Sequence, residues 1–108
     1  MIVKRKMKSR QPVRAKKRPA NDWRAAIQRL FAKVSAVHAV FTYEFDDAIH
    51  VYSIVERFDD DSCGKIMKQE SMLEKAFPDL SFEFHTRAHQ GRKPSESGPW
   101  SSKLVYLR

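Results

Sequence analysis

The sequence predicts an α+β fold, a two-layer sandwich with the element order α-β-β-α-β-β. Two stretches carry apolar residues at helical spacing, and most of the others alternate between apolar and polar residues. A hairpin followed by a helical crossover places the third strand parallel to a neighbour, so we expect a mixed four-stranded sheet. Both helices can then cover one face of that sheet. This gives one domain over residues 22–108, behind a basic, disordered arm over residues 1–21.

The first helix and the strand after it have the strongest periodicity. From Trp23 to Val34 apolar residues recur every three or four positions, which predicts an amphipathic helix. VHAVFTYEF then switches to a period of two, and its larger apolar residues are expected to face the helices. The residues expected to face the helices are Val37, Ala39, Phe41, Tyr43 and Phe45, and those expected on the opposite side are His38, Val40, Thr42 and Glu44.

The remaining elements follow from turn and capping residues. Asp46-Asp47 predicts a two-residue hairpin turn, because Asp tolerates the left-handed conformation, and AIHVYSIVERF is the returning strand. The acidic stretch from Asp59 to Ser62 suits a helix start, and Pro78 ends that helix. LSFEFHTRA alternates as a third strand, QGRKPSESGPWSS is expected to be a connecting loop, and KLVYLR is the last strand.

The sheet face away from the helices is expected to be open and polar. The residues predicted to lie on it are His38, Thr42, Glu44, His50, Tyr52, Glu56, Glu83, His85 and Arg87. These residues suggest a metal or hydrolytic site, a surface on which bases stack, or a homodimer interface in which Arg87 pairs with Glu83 across two copies. Histidines on three separate strands disfavour a metal site, and the carboxylates would repel phosphate. We therefore predict no catalytic residue, no metal and no cofactor.

Positive charge is concentrated in the first 21 residues. The chain has 21 Lys and Arg against 13 Asp and Glu. Nine of the basic residues and none of the acids precede residue 22, so the rest of the chain carries twelve cations against all 13 acids. We expect the arm to contact the phosphates of RNA or DNA without reading sequence. The residues predicted to make these contacts are Lys4, Arg5, Lys6, Lys8, Arg10, Arg14, Lys16, Lys17 and Arg18.

Other interpretations of the arm remain open. It also fits a solvated tail, and Lys4-Arg5 followed by Lys16-Lys17-Arg18 has the spacing of a two-part nuclear import signal. A single cysteine, Cys63, forms no internal disulfide, and no apolar run approaches the length that spans a bilayer. We expect a cytoplasmic protein with no membrane partner.

The segment IHVYSIVERFDDDSCGKIMKQESMLEKAFPDLSFEFHTRAHQGR resembles a group of small uncharacterised bacterial proteins. The shared features are an IHVY-type strand, a helix ending near FPDL and an FEFH-type strand followed by QGR. The resemblance covers residues 48–92 and implies a bacterial origin and the same fold, but no activity. No phosphate-binding glycine loop or nucleophile motif occurs in the chain. We expect a non-enzymatic nucleic-acid-binding protein; the alternatives are an enzyme or ligand-binding domain that uses the His/Glu face, and a protein–protein adaptor or antitoxin-like regulator.

Overall fold

The computed structural model describes residues 22–108, which form two helices and a four-stranded mixed sheet. Along the chain these are α1 (Asp22–Phe31), β1 (Val37–Phe45), β2 (Ala48–Val55), α2 (Asp60–Ala76), β3 (Phe82–Ala88) and β4 (Lys103–Leu107). A single 3₁₀ turn, Pro94–Glu96, lies in the connection before β4. The predicted α+β class and element order are confirmed.

The strands are arranged in the order β3-β2-β1-β4. β1 is antiparallel to both β2 and β4, whereas β2 is parallel to β3, and α2 is the crossover between that parallel pair. The β1–β2 turn has Asp46 at φ 55° and Asp47 at φ 61°. Two consecutive positive φ angles are typical of a type I′ turn, whose twist matches that of the flanking strands. The predicted turn and the predicted parallel pair are both confirmed.

The main core lies between the two helices and one face of the sheet. The apolar stripe of α1 is buried as its spacing predicts, and α2 contributes a narrower stripe because most of its surface is polar. Among residues 22–108, no helix is both long enough and apolar enough to span a membrane. The buried residues of this core include Trp23, Ile27, Leu30, Phe31, Val34, Val37, Val40, Ile49, Val51, Val55, Ile66 and Leu73.

The start of α2 is fixed by its N-cap. The Asp59 carboxylate accepts a hydrogen bond from the Ser62 backbone N–H at 2.8 Å and another from Ser62 Oγ at 3.0 Å. These bonds favour the ionised carboxylate, so they lower the pKa of Asp59. At the other end α2 stops at Ala76, two residues before Pro78, as the sequence predicts.

The orientation of β1 differs from the sequence prediction. Its pairing with β2 shifts between Val37 and Ala39, where a bulge adds one residue to β1. Val37 therefore packs in the main core, but Ala39 and Phe41 pack on the opposite face of the sheet. Because a one-residue shift reverses every later side chain, Tyr43 and Phe45 follow Phe41 onto that face. The predicted orientation of β1 is wrong beyond the bulge.

Two predicted open-face residues, Thr42 and Glu44, consequently lie on the helix side. Thr42 is opposite Val51 in the β1–β2 register and is buried, and Glu44 is opposite Ile49. The Glu44 carboxylate accepts a hydrogen bond from the Arg24 guanidinium of α1 at 3.1 Å. Val40, Thr42 and Glu44 of β1 thus face the helices, and the aromatic side chains of β1 face away from them.

Candidate functional site on the open sheet face

Five rings from three adjacent strands form a continuous row on the sheet face opposite the helices. β1 supplies Tyr43 and Phe45, β2 supplies His50 and Tyr52, and β3 supplies His85; we call these five residues the aromatic strip. The sheet register fixes their order, because Tyr43 is opposite His50 and Tyr52 is opposite His85. The strip depends on the β1 bulge, without which the two β1 rings would point towards the helices.

Neighbouring rings of the aromatic strip are in contact range of one another. Phe45 and Tyr43 have centroids 6.0 Å apart at 12°, and Tyr43 and His50 are 6.2 Å apart. His50 and His85 are 5.4 Å apart at 14°, and Tyr52 stacks on His85 at 4.5 Å and 13°. Phe45 is 60% exposed, and the other four rings are partly accessible. A ligand approaching this face therefore meets aromatic surface across three strands.

Arg87 extends the aromatic strip at its Tyr52 end. Its guanidinium carbon lies 5.6 Å from the centroid of Tyr52, within the range of a cation–π contact. Arg87 Nη1 also donates a hydrogen bond to the Ser97 carbonyl oxygen at 3.1 Å. The cation is thus held between an aromatic ring and the loop that precedes β4.

That loop covers one part of the sheet face and leaves the strip open. Ser97 is buried, its hydroxyl donates to the Lys93 carbonyl at 2.8 Å, and Gly98 lies directly over the ring of Phe41. Beneath it, Ala39, Phe41 and Ile54 form a second small core with Tyr52 at its border. The sequence predicts only a plain connection here, so this cover is a feature that the prediction missed.

Three potential metal ligands meet within the strip. His50, Glu83 and His85 each offer one ligand atom, and these atoms all lie within 4.8 Å of one another. His50 Nδ1 and His85 Nε2 are 3.2 Å apart, a hydrogen-bond distance if one of them carries the proton. Glu83 and His85 are two residues apart on β3, and His50 is opposite Glu83 on β2. The three predicted histidines do lie on three separate strands, but the trio with Glu83 spans only two neighbouring strands, β2 and β3.

The other predicted open-face residues lie elsewhere. His38 packs against His89 with ring centroids 5.4 Å apart and does not join His50 and His85. Glu56 follows the end of β2 and is exposed. With Glu44 on the helix side, Glu83 is the one carboxylate of the predicted set that borders the strip. The face is therefore less acidic and more aromatic than the sequence alone suggests.

A groove of about 370 Å³ adjoins the Arg87 end of the strip. Two guanidinium groups, Arg87 and Arg92, contribute to its wall, together with the exposed ring of Phe58 and the imidazole of His89. Its positive lining and aromatic edge are compatible with an anionic ligand that carries a flat ring.

The nine basic residues predicted to bind phosphate all lie outside the described residues, so their binding to phosphate stays a prediction from the sequence.

No protein-family model matches the chain, and no curated protein matches it either. The suggested bacterial group therefore remains a resemblance, and the functional argument depends on the chemistry of this face and the charge of the sequence.

Proposed function

We propose that the protein binds single-stranded nucleic acid, with bases on the aromatic strip and phosphates on the basic arm. The observation that carries this proposal is the unbroken row of five rings on a sheet face that the helices do not cover. A duplex hides the faces of its bases, whereas an unpaired strand offers them for stacking. The proposal is therefore specific to single strands.

Base stacking suits this surface because it needs no particular sequence. Each stacked base contributes about 1–3 kcal/mol, and every base has a flat aromatic face. Phe45, Tyr43 and Tyr52 supply the stronger stacking partners, and Arg87 adds a cation at one end of the row. With Glu44 paired to Arg24 on the helix side, repulsion of phosphate from this face is reduced.

Residues 1–21 supply the electrostatic part of the proposed binding. Their nine cations stand beside a domain in which basic and acidic residues nearly cancel, so attraction to phosphate originates mainly in the arm. Each engaged phosphate releases counterions, which makes the affinity fall steeply with salt. The arm has no aromatic residue, so stacking must come from the strip. A reducing cytoplasm suits both this role and the lone thiol of Cys63.

The direct test measures binding of a fluorescein-labelled oligo(dT) by anisotropy at about 50 mM salt, using the full chain. Phe45→Ala and Tyr43→Ala each remove one ring of the strip. We expect each to raise Kd by at least about fivefold, the equivalent of about 1 kcal/mol of lost stacking. Met67→Ala is the matched control, because it removes an exposed apolar side chain from α2 and should leave Kd unchanged.

A second pair of variants tests the arm. Replacing Lys16, Lys17 and Arg18 by Gln removes three positive charges, and Lys65, Lys68 and Lys75 on α2 offer the same loss of charge at exposed positions. We expect the arm variant to weaken binding by far more than the α2 variant. Equal affinity for duplex and single strands, or ring variants that bind as tightly as the wild type, would contradict the proposal. Failure of the wild type to bind would favour a homodimer or an adaptor that uses this face.

A further inference from the structure

We propose that His50, Glu83 and His85 form a three-ligand site for one Zn²⁺ ion. Two imidazoles and one carboxylate are a common donor set of zinc sites that keep an open coordination position. The proposal concerns metal binding alone and does not depend on nucleic acid.

The separation of the two imidazoles fits a shared ion. Zn–N bonds of about 2.0–2.1 Å that meet at a tetrahedral angle place the two nitrogens about 3.3 Å apart. The observed distance between His50 Nδ1 and His85 Nε2 is 3.2 Å. An ion can therefore take both nitrogens with little change in their separation.

The backbone brings all three ligand residues to one side of two neighbouring strands. Glu83 and His85 alternate along β3 and so point to the same side, and the parallel ladder fixes His50 opposite Glu83 on β2. Glu83 is exposed, so its carboxylate can rotate towards the imidazoles from a starting separation of at most 4.8 Å between ligand atoms. Tyr52 stacks on the His85 ring and limits its rotation. Little ordering is then required when an ion binds.

Without an ion, the same two nitrogens can share one proton. Neutral imidazole has one N–H and one bare nitrogen, so His50 and His85 can form a single hydrogen bond. Zinc needs both of these nitrogens bare, so the shared proton must move to the other nitrogen of its own ring when the ion binds. In a metal titration, a zinc site therefore takes up one ion per chain, whereas a pair of histidines that only form a hydrogen bond takes up none. Because Glu83 faces solvent, water can occupy the fourth position of a bound ion.

The experiment titrates the full chain with Zn²⁺ in competition with a chromophoric chelator, in the absence of nucleic acid. We expect one ion per chain. Glu83→Gln keeps the shape of an exposed side chain but weakens its affinity for metal, and it should raise Kd by at least about tenfold. The double variant His50→Asn/His85→Asn should abolish binding. Histidine ¹⁵N spectra should show zinc-dependent shifts at His50 and His85 only.

The matched control is His38→Asn/His89→Asn, which removes the other pair of histidines in contact. This variant should bind zinc as the wild type does. The proposal is overturned if the wild type binds no zinc at tens of micromolar, if Glu83→Gln binds as tightly, or if one ion binds per two chains. Glu83→Gln keeps the test decisive should a double histidine variant fail to fold. The nucleic-acid proposal would survive a negative result here, since it requires no metal.

Discussion

Replacing Gly98 with Ala should destabilise the protein by overpacking the cover of the sheet face. A Cβ atom built at Gly98 lies 2.7 Å from Cε2 of Phe41, and Cγ and Cδ2 of the same ring are nearer still. Carbon atoms in ordinary contact are about 3.5–4.0 Å apart, so a gap of about 1 Å must open. The loop cannot lift without straining the hydrogen bonds that Ser97 makes with Arg87 and Lys93.

The expected cost of Gly98→Ala is about 1–3 kcal/mol, the usual penalty for forcing an extra carbon into a packed site. Phe41 cannot relieve the contact easily, because its ring is buried between β1 and the loop. For an m-value of about 1 kcal/mol/M, the urea midpoint should fall by about 1–3 M. The result depends on steric contact and not on the removal of a glycine as such.

Gly64→Ala separates these two effects. Gly64 lies within α2, where an added Cβ meets nothing within 4 Å, so this variant should stabilise the protein by about 0.5–1 kcal/mol. Urea unfolding followed by circular dichroism measures both variants. A Gly98→Ala midpoint equal to or above that of the wild type would refute the packing of this loop on Phe41.

Two further substitutions test stability. Burial, with a smaller effect of Glu74, raises the pKa of Glu70 from about 4.5 to about 7. The folded state therefore keeps a proton that the unfolded chain loses, and stability should fall as pH rises from 4.5 to 7. The free energy of unfolding of Glu70→Gln should equal that of the wild type near pH 4. Above pH 7 it should be higher by about 1 kcal/mol, a figure that allows for the partial exposure of Glu70. Equal urea midpoints at pH 8 would contradict this. Arg108→Ala should lower the free energy of unfolding by about 1–2 kcal/mol in the same assay, because the guanidinium donates hydrogen bonds to the carbonyls of Ala32, Val34 and Val37. Arg108→Lys should recover little of that loss, since an ammonium group cannot reproduce the guanidinium geometry. An unchanged urea midpoint in Arg108→Ala would argue against these hydrogen bonds.

Most of the fold follows from local signals in the sequence. The helical stripe from Trp23, the two Asp residues of the hairpin turn and the cap at Asp59 each determine one element by short-range chemistry. The faces of β2 and β3 are also predicted correctly: Ile49, Val51 and Val55 lie in the main core, and Phe82 and Phe84 pack against it. In both strands the more apolar side is the side that the helices cover.

β1 breaks this relation for two reasons that its own sequence does not reveal. The bulge near His38 changes the pairing phase without any glycine or other local signal in the sequence. The large apolar residues of β1 are also not left bare, since the distant Gly98 loop covers Phe41. Alternation in a strand reports that its two faces differ, but not which of them the helices cover.

The candidate site could be predicted only in part for the same reason. His50, Tyr52, His85 and Arg87 follow from β2 and β3, whose faces alternation determines. Tyr43 and Phe45 require the shift in β1, so the sequence alone gives a row with one strong stacking ring where the structure has three. The pairing of Glu83 with His50 across strands follows from the register, which composition cannot supply.

The most direct test of the proposed function is the salt dependence of oligo(dT) binding, plotted as log K against log salt for three proteins. The slope of this plot reports the number of phosphates contacted, and the value of log K at high salt reports the contribution of stacking. We predict that Phe45→Ala/Tyr43→Ala keeps the wild-type slope but is displaced to weaker affinity, and that substitution of Lys16, Lys17 and Arg18 by Gln makes the slope shallower by about 2. A ring variant that superimposes on the wild type at every salt concentration would contradict a stacking surface on this sheet face.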